Sequence, residues 1–415
     1  MAQVNPNPNI STSNNIETNF QTELVALRAA QVAPYFTVGS KAYFSDQLVG
    51  KRNGQTYGFV IKDSGEVENS LAIGAGTRKT VVERRVDMSI EPWHIPIKTN
   101  AVEGKTDLQF DKEVAEPNGQ KLIQGALKKS IKSDVAKCAT CFVGKVGEFE
   151  PLSMATGHLS SITSEPLYGF CDPMIEAIVT SKGAQFVPVD APAMYKSGLI
   201  GHFHGADYRS QRFIPRVKIS SELATVLTGA VCDGYDAENS ELHIAFSAAA
   251  SACVIKAGTP LFVDGIVACD LVGDPTTQPY AFIAAEDAGI VSGGTSATIV
   301  VAPVDVANGT RMAAYEDGTA IDWSTFDRTT PVSIPEAGTY FAAIVRANGA
   351  YEFETLNDID VATAESKKGS VEGITIFQNR LIDMGAFVND TRFDLFTLSG
   401  TVENRAQALV LVKAK

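Results

Sequence analysis

The apolar positions change period along the chain, and each change marks an expected element. Ile16, Phe20, Leu24 and Leu27 recur at helical spacing. Asn15 can cap a helix that runs to about Gln31, with Pro34 just beyond it. The preceding residues 1–15, rich in Asn, Pro, Ser and Thr, read as a mobile arm. Tyr57 to Ile61 reads as a short strand, and Asp63 to Gly76 as a polar, Gly-punctuated loop. From Thr80 to Thr99 the period is two. Val82, Val86, Met88 and Ile90 point one way, and Glu83, Arg85, Asp87, Ser89 and Glu91 the other. So long a strand with one charged face predicts an element that projects from the body and rests on another subunit. Its outer charges oppose aggregation.

A short helix is expected over Asp107 to Ala115, broken at Pro117-Asn118-Gly119. A longer one follows from Gln120 to about Val143. It carries Ile123, Leu127, Ile131, Val135, Ala139 and Phe142 on one side and Lys121, Lys128, Lys129, Lys132 and Lys137 elsewhere. At 1.5 Å per residue it would be roughly 35 Å long. Pro173 to Ser181 is helical in pattern, Phe186-Val187 reads as a strand, and Asp190 can cap a further helix. Gly198 to Pro215 reads as an ordered loop. From Ser240 to Pro303 short alternating runs are joined by Gly and Asp turns, the pattern of a small inserted β-barrel or sandwich. Strand-like runs over Arg392 to Leu398 and Ala406 to Val412 close the chain. The class is therefore α+β. The expected divisions are 1–50 (arm and docking helix), 51–105 (extended loop), 106–235 (spine helix and mixed α/β body), 236–305 (inserted barrel) and 306–415 (remainder of the body).

Composition narrows the function classes. The chain has 415 residues, 45% apolar and 20% charged, as in ordinary globular proteins. The net charge of −13 argues against a nucleic-acid clamp made of the whole molecule. That charge is uneven: residues 231–365 hold about 20 acids against about 4 bases, so the remainder is slightly basic. The split fits either a solvated acidic domain beside an ordinary one, or an oriented molecule with its acidic part to bulk water and its basic part to a polyanion or partner. Six scattered cysteines suit free thiols in a reducing compartment. The first residues do not read as a secretory signal, and no apolar run reaches the roughly 20 residues of a membrane span.

Catalytic patterns are scarce. His202 and His204, in GHFHG, are the only close histidine pair and lack a compelling third metal ligand. Cys138 and Cys141 are expected as small side chains on a helix face, since zinc would need a second pair. GAGTRKT (74–80) lacks the Gly before Lys79 and the strand–helix frame of a phosphate loop. No catalytic residues, cofactor or metal are expected.

In order, these parts resemble the major capsid proteins of tailed bacteriophages, which have the Hong Kong ninety-seven capsid fold. The likeness is greatest to the short-tailed-phage coat proteins that carry an inserted β-barrel. GQTYGFVIKDSGEVENS and the run from Thr80 to Thr99 look like the two sides of the family's extended loop. KTDLQFDKEVAEPNGQKLIQGALKKSIKSDVAKCA looks like its connecting helix and spine, and IKAGTPLFVDGIVACDLVG with ATIVVAP like two ends of the barrel. The resemblance implies a non-enzymatic structural protein. It would assemble in the host cytoplasm into the hexamers and pentamers of an icosahedral virion shell around double-stranded DNA. It would use a portal and a separate scaffolding protein, because the arm is short. Glu83, Arg84, Arg85 and Asp87 are the expected subunit contacts, and Lys121, Lys128 and Lys132 the expected inner basic face. The rival expectations are a cellular nanocompartment shell of the same fold and a metal-dependent hydrolase using His202 and His204.

Overall fold

A computed structural model describes residues 20–41, 51–53, 56–62, 83–98, 106–145, 148, 150–183, 199–203, 205–304, 311–324, 326, 328–356, 365–383 and 388–414. The fold is α+β and rich in strands. Its residues divide into two compact units. One comprises 1–57, 87–130 and 352–399, the other 58–86, 131–351 and 400–415. The arm, the GAGTRKT stretch, Phe186-Val187 and the helix expected after Asp190 lie outside the described residues.

The first unit is built on backbone proximity. Residues 20–30 are helical, as the spacing predicts, but the buried face differs from the expected one. Thr22, Val25, Ala26 and Ala29 are fully buried, whereas Phe20 is 44% exposed and Leu24 and Leu27 are half-buried. Two glycines explain the rotation. A Cβ on Gly119 would stand 2.5 Å from the Val25 carbonyl oxygen, and one on Gly369 would stand 2.6 Å from the Glu23 nitrogen. The helix thus touches the spine on one side and a strand on the other. Only small side chains fit that gap, so the larger apolar residues turn outward.

The spine also departs from expectation. Asp107–Phe110 is α-helical, Asp111–Ala115 is a π-helical turn and Glu116–Ala136 is α-helical, so the chain runs through Pro117-Asn118-Gly119 without a break. Pro117 has no N–H for the preceding turn, and the wide π turn beside it makes room for the ring. The Asn118 side chain donates to the Val114 carbonyl at 2.7 Å. Gly119 marks the helix crossing, not a stop.

The spine ends at Ala136, short of the expected Val143. Thr140–Gly144 is a strand instead, parallel to Gln407–Lys413. The apolar spacing of Ala139 and Phe142 suits a helix equally well, but the sheet claims the segment. Cys138 and Cys141 therefore do not share a helix face, and all six cysteines are free thiols.

In the second unit an eleven-stranded sheet carries the core. Gln407–Lys413 lies inside it, antiparallel to Gly338–Ala347 on its other side. Its run QALVLV is buried throughout, as a central strand covered on both faces should be. Helix Glu150–Ile162 seals one face with Leu152, Ala155 and Leu159, against Phe142, Tyr208 and Val410. The stretch expected as a loop from Gly198 to Pro215 contains the hairpin Leu199–Phe203 and Ala206–Ser210, turned at Gly205 (φ +83°). Its glycines and aromatics masked the alternation.

The strands of 236–305 are shared among several sheets. Glu241–Ala245 lies between Val231–Asp236 and Ser296–Val300. Pro260–Cys269 and Pro275–Ile283 form a hairpin that joins the large sheet through Tyr280 opposite Thr140.

The two kinds of helical glycine give a paired test. Gly119→Ala should lower stability by about 1–3 kcal/mol through overpacking, despite alanine's better helix propensity. Gly157, in helix Glu150–Ile162, has nothing within 4 Å of a built Cβ. Gly157→Ala should raise stability by about 0.5–1 kcal/mol. Denaturant titration of both variants checks the contrast.

Candidate functional site

The extended strand expected over 80–99 is two strands, Glu83–Ser89 and Glu91–Lys98, interrupted at Ile90. The first belongs to a three-stranded sheet with Lys51–Asn53 and Thr56–Lys62. The second pairs with Val388–Thr401, from Lys98 opposite Asp390 to Glu91 opposite Thr397. The alternation changes phase at the interruption. Met88 is buried between exposed Asp87 and Ser89, but beyond Ile90 the half-buried positions are Trp93, Ile95 and Ile97, with Pro92, His94 and Pro96 exposed. Asp87 is thus on the exposed face predicted for it. Glu83, Arg84 and Arg85 lie on the same strand, with side chains outside the described residues.

The spine helix is buried around most of its circumference. Leu122, Ile123, Ala126, Leu127, Ile131 and Val135 all lie in the core. The remaining strip carries Lys121, Lys128 and Lys132, all exposed, and spans about 17 Å along the axis. Sequence reasoning missed what crosses beside it. Trp93 lies over Gly125, where a Cβ would be 2.9 Å from the indole ring. Its Nε1 donates to Thr397 Oγ1 at 3.2 Å, and Lys129 pairs with Glu91 at 2.5 Å. The signal was Gly125 itself, at the centre of the lysine stripe. Lys132 stands within electrostatic reach of Asp287, whose carboxyl is held below its ordinary value by the hydrogen bond from Lys256.

Asp134 is fully buried near the end of the spine, and Thr401 Oγ1 donates to its Oδ1 at 2.8 Å. Arg28 clasps the π turn: Nε donates to Asp111 Oδ1 at 2.9 Å and Nη2 contacts Oδ2.

The histidine pair gains no support as a metal site. His202 lies on Leu199–Phe203 with its side chain outside the described residues, as is all of His204. The structure instead gathers Asp236, Glu241 and His243, whose ligand atoms lie within 4.8 Å of one another. An E-x-H alternation following an Asp across a tight turn was the legible signal.

No protein-family model matches the chain, and no curated protein matches it by sequence. Among solved structures, similar chains include phage capsids and a virus-like particle. The capsid of Ralstonia phage GP4 covers 89% of this chain and 86% of its own at 6% identity and a TM-score of 0.44. The head structure of Helicobacter pylori bacteriophage KHP40 covers 87% and 84% at 8% identity and a TM-score of 0.44. The virus-like particle from Pyrococcus furiosus covers 94% and 97% at 8% identity and a TM-score of 0.38. At such identities and scores, function has to be argued from this chain's own residues.

The Arg28–Asp111 clasp predicts an acid sensitivity. The hydrogen bond from Arg28 holds the Asp111 carboxyl below its ordinary value. Its stabilisation is therefore present above the unfolded carboxyl's pKa, about 4, and is lost as pH falls through the depressed folded value. Asp111→Asn should cost about 1 kcal/mol near pH 7, and the difference from the parent should vanish in strong acid, as measured by thermal melts across pH.

Proposed function

We propose that the chain is the structural subunit of a phage-type protein shell, forming the hexamers and pentamers of an icosahedral head that encloses double-stranded DNA. The observation that carries this reading is the excursion of the chain between Lys51 and Lys98. It has a small sheet of its own, and its return strand continues past Ile90 into the six-stranded sheet. A three-stranded ribbon buries little by itself. A surface on a neighbouring copy would complete it, as closed shells built from heterologous contacts require. The charged strand segment that carries Glu83, Arg84, Arg85 and Asp87 suits that lateral contact.

The exposed lysine strip of Lys121, Lys128 and Lys132 suits a face turned toward packaged DNA, where phosphate attraction is non-specific and salt-sensitive. The acidic segment 231–365 would face outward. The virion shell, assembled in the host cytoplasm with a separate scaffolding protein and a portal, is the setting this reading implies. The role is structural, with no reaction assigned to the chain.

Negative-stain electron microscopy of the purified chain, alone and with a scaffolding partner, tests the reading. Closed or polymorphic shells are expected; a small oligomer under every condition would sink it. Arg84→Glu with Arg85→Glu should impair assembly while leaving the melting temperature unchanged, and normal shells from that double variant would remove those residues from the contact. Changing Lys121, Lys128 and Lys132 to Gln should weaken duplex binding and lower its salt slope by about 1 per lysine. An unchanged slope would remove the strip from the DNA face.

A further inference from the structure

We propose that Asp236, Glu241 and His243 form a site for a divalent transition metal, zinc being the closest chemical match. All three stand on one solvent-facing side of the three-stranded sheet formed by Val231–Asp236, Glu241–Ala245 and Ser296–Val300. Asp236 is directly opposite Glu241 across the hairpin, and His243 follows Glu241 by two residues, so strand geometry points all three the same way. The opposite side of the sheet is core: Leu242, Ile244 and Ile299 are fully buried there. The donors therefore rest on a packed scaffold and not on a free loop.

The donor set selects the ion. Two carboxylates and one imidazole suit zinc or its first-row neighbours, while calcium and magnesium prefer oxygen alone. The ligand atoms lie within 4.8 Å of one another. Tetrahedral zinc with bonds of about 2.0–2.2 Å would bring them to about 3.3–3.6 Å, a change that side-chain rotation can supply. His243 Nδ1 and Thr298 Oγ1, 3.1 Å apart, form a hydrogen bond that orients the ring from the neighbouring strand. Metal-binding histidines are commonly held by such a contact through their other nitrogen, here leaving Nε2 for the ion. The Asp236 carboxylate is itself fixed by Asn239, which donates to Oδ2 from its side chain at 2.8 Å. Three protein ligands leave a fourth position for water or for a group from another molecule.

Calorimetric titration of the full-length chain with zinc chloride, in the presence of a thiol reductant, tests the site independently of shell formation. One equivalent is expected to bind, and to disappear or weaken at least tenfold in His243→Ala and in Glu241→Gln. Thr298→Ala, which keeps every ligand, should weaken it by about tenfold, the low end for loss of an orienting partner. Circular dichroism confirms that each variant is folded. No binding by the parent, or an equivalent that His243→Ala leaves untouched, overturns the proposal.

Discussion

Backbone-to-backbone approach is the constraint on which the first unit depends. The helix of residues 20–30 meets the spine at Gly119 and the strand Glu365–Val371 at Gly369, with no room for a side chain at either contact. Such a slot accepts only a helix whose inner face is small, and Thr22, Val25, Ala26 and Ala29 meet that demand. The Arg28–Asp111 clasp then fixes the helix along its axis, and Thr22 Oγ1 donates to Gln378 Oε1 at 2.9 Å from its buried face. Packing density, not apolar volume, decides the orientation.

Much of the architecture was legible. The α+β class, the spine's buried stripe of Ile123, Leu127, Ile131 and Val135, and the closing strands follow directly from periodicity. The misreadings share a cause: local pattern was overruled by distant partners. Phe20, Leu24 and Leu27 form the stronger apolar stripe on paper, but no sequence window reveals that two glycines, one 250 positions from the other, will flank the helix. Thr140–Gly144 has a helix-compatible spacing, but pairing with Gln407–Lys413 makes it a strand. Of the candidate site, the exposed face of Asp87 and the lysine strip were visible in advance. Trp93 crossing at Gly125 and the Asp236–Glu241–His243 group arise from strand register, which periodicity alone does not fix.

The second unit solves a different problem. Arg346 is fully buried on a central strand, its guanidinium 4.7 Å from the Phe170 ring centroid and 4.2 Å from that of Tyr351. Arg405, also buried, is forked onto Glu403 at 2.8 and 2.9 Å and donates to the Asp270 carbonyl at 2.9 Å. Both arginines sit where strands or their connections converge, and each ties together segments far apart in the chain. Aromatic faces and a paired carboxylate offset the desolvation of these charges.

Strand Glu91–Lys98 has a less obvious property. Among the described residues it pairs only with Val388–Thr401, and it carries proline at positions 92 and 96. Neither proline can offer an N–H to another strand, so the free margin of this strand is a poor template for further pairing. Any molecule concentrated against many copies of itself faces the danger that open margins zip together without limit, as in fibrils. Along this strand that route is closed by covalent chemistry. A neighbour placed against it would be recognised through side chains, whose fit can stop at a defined number of contacts.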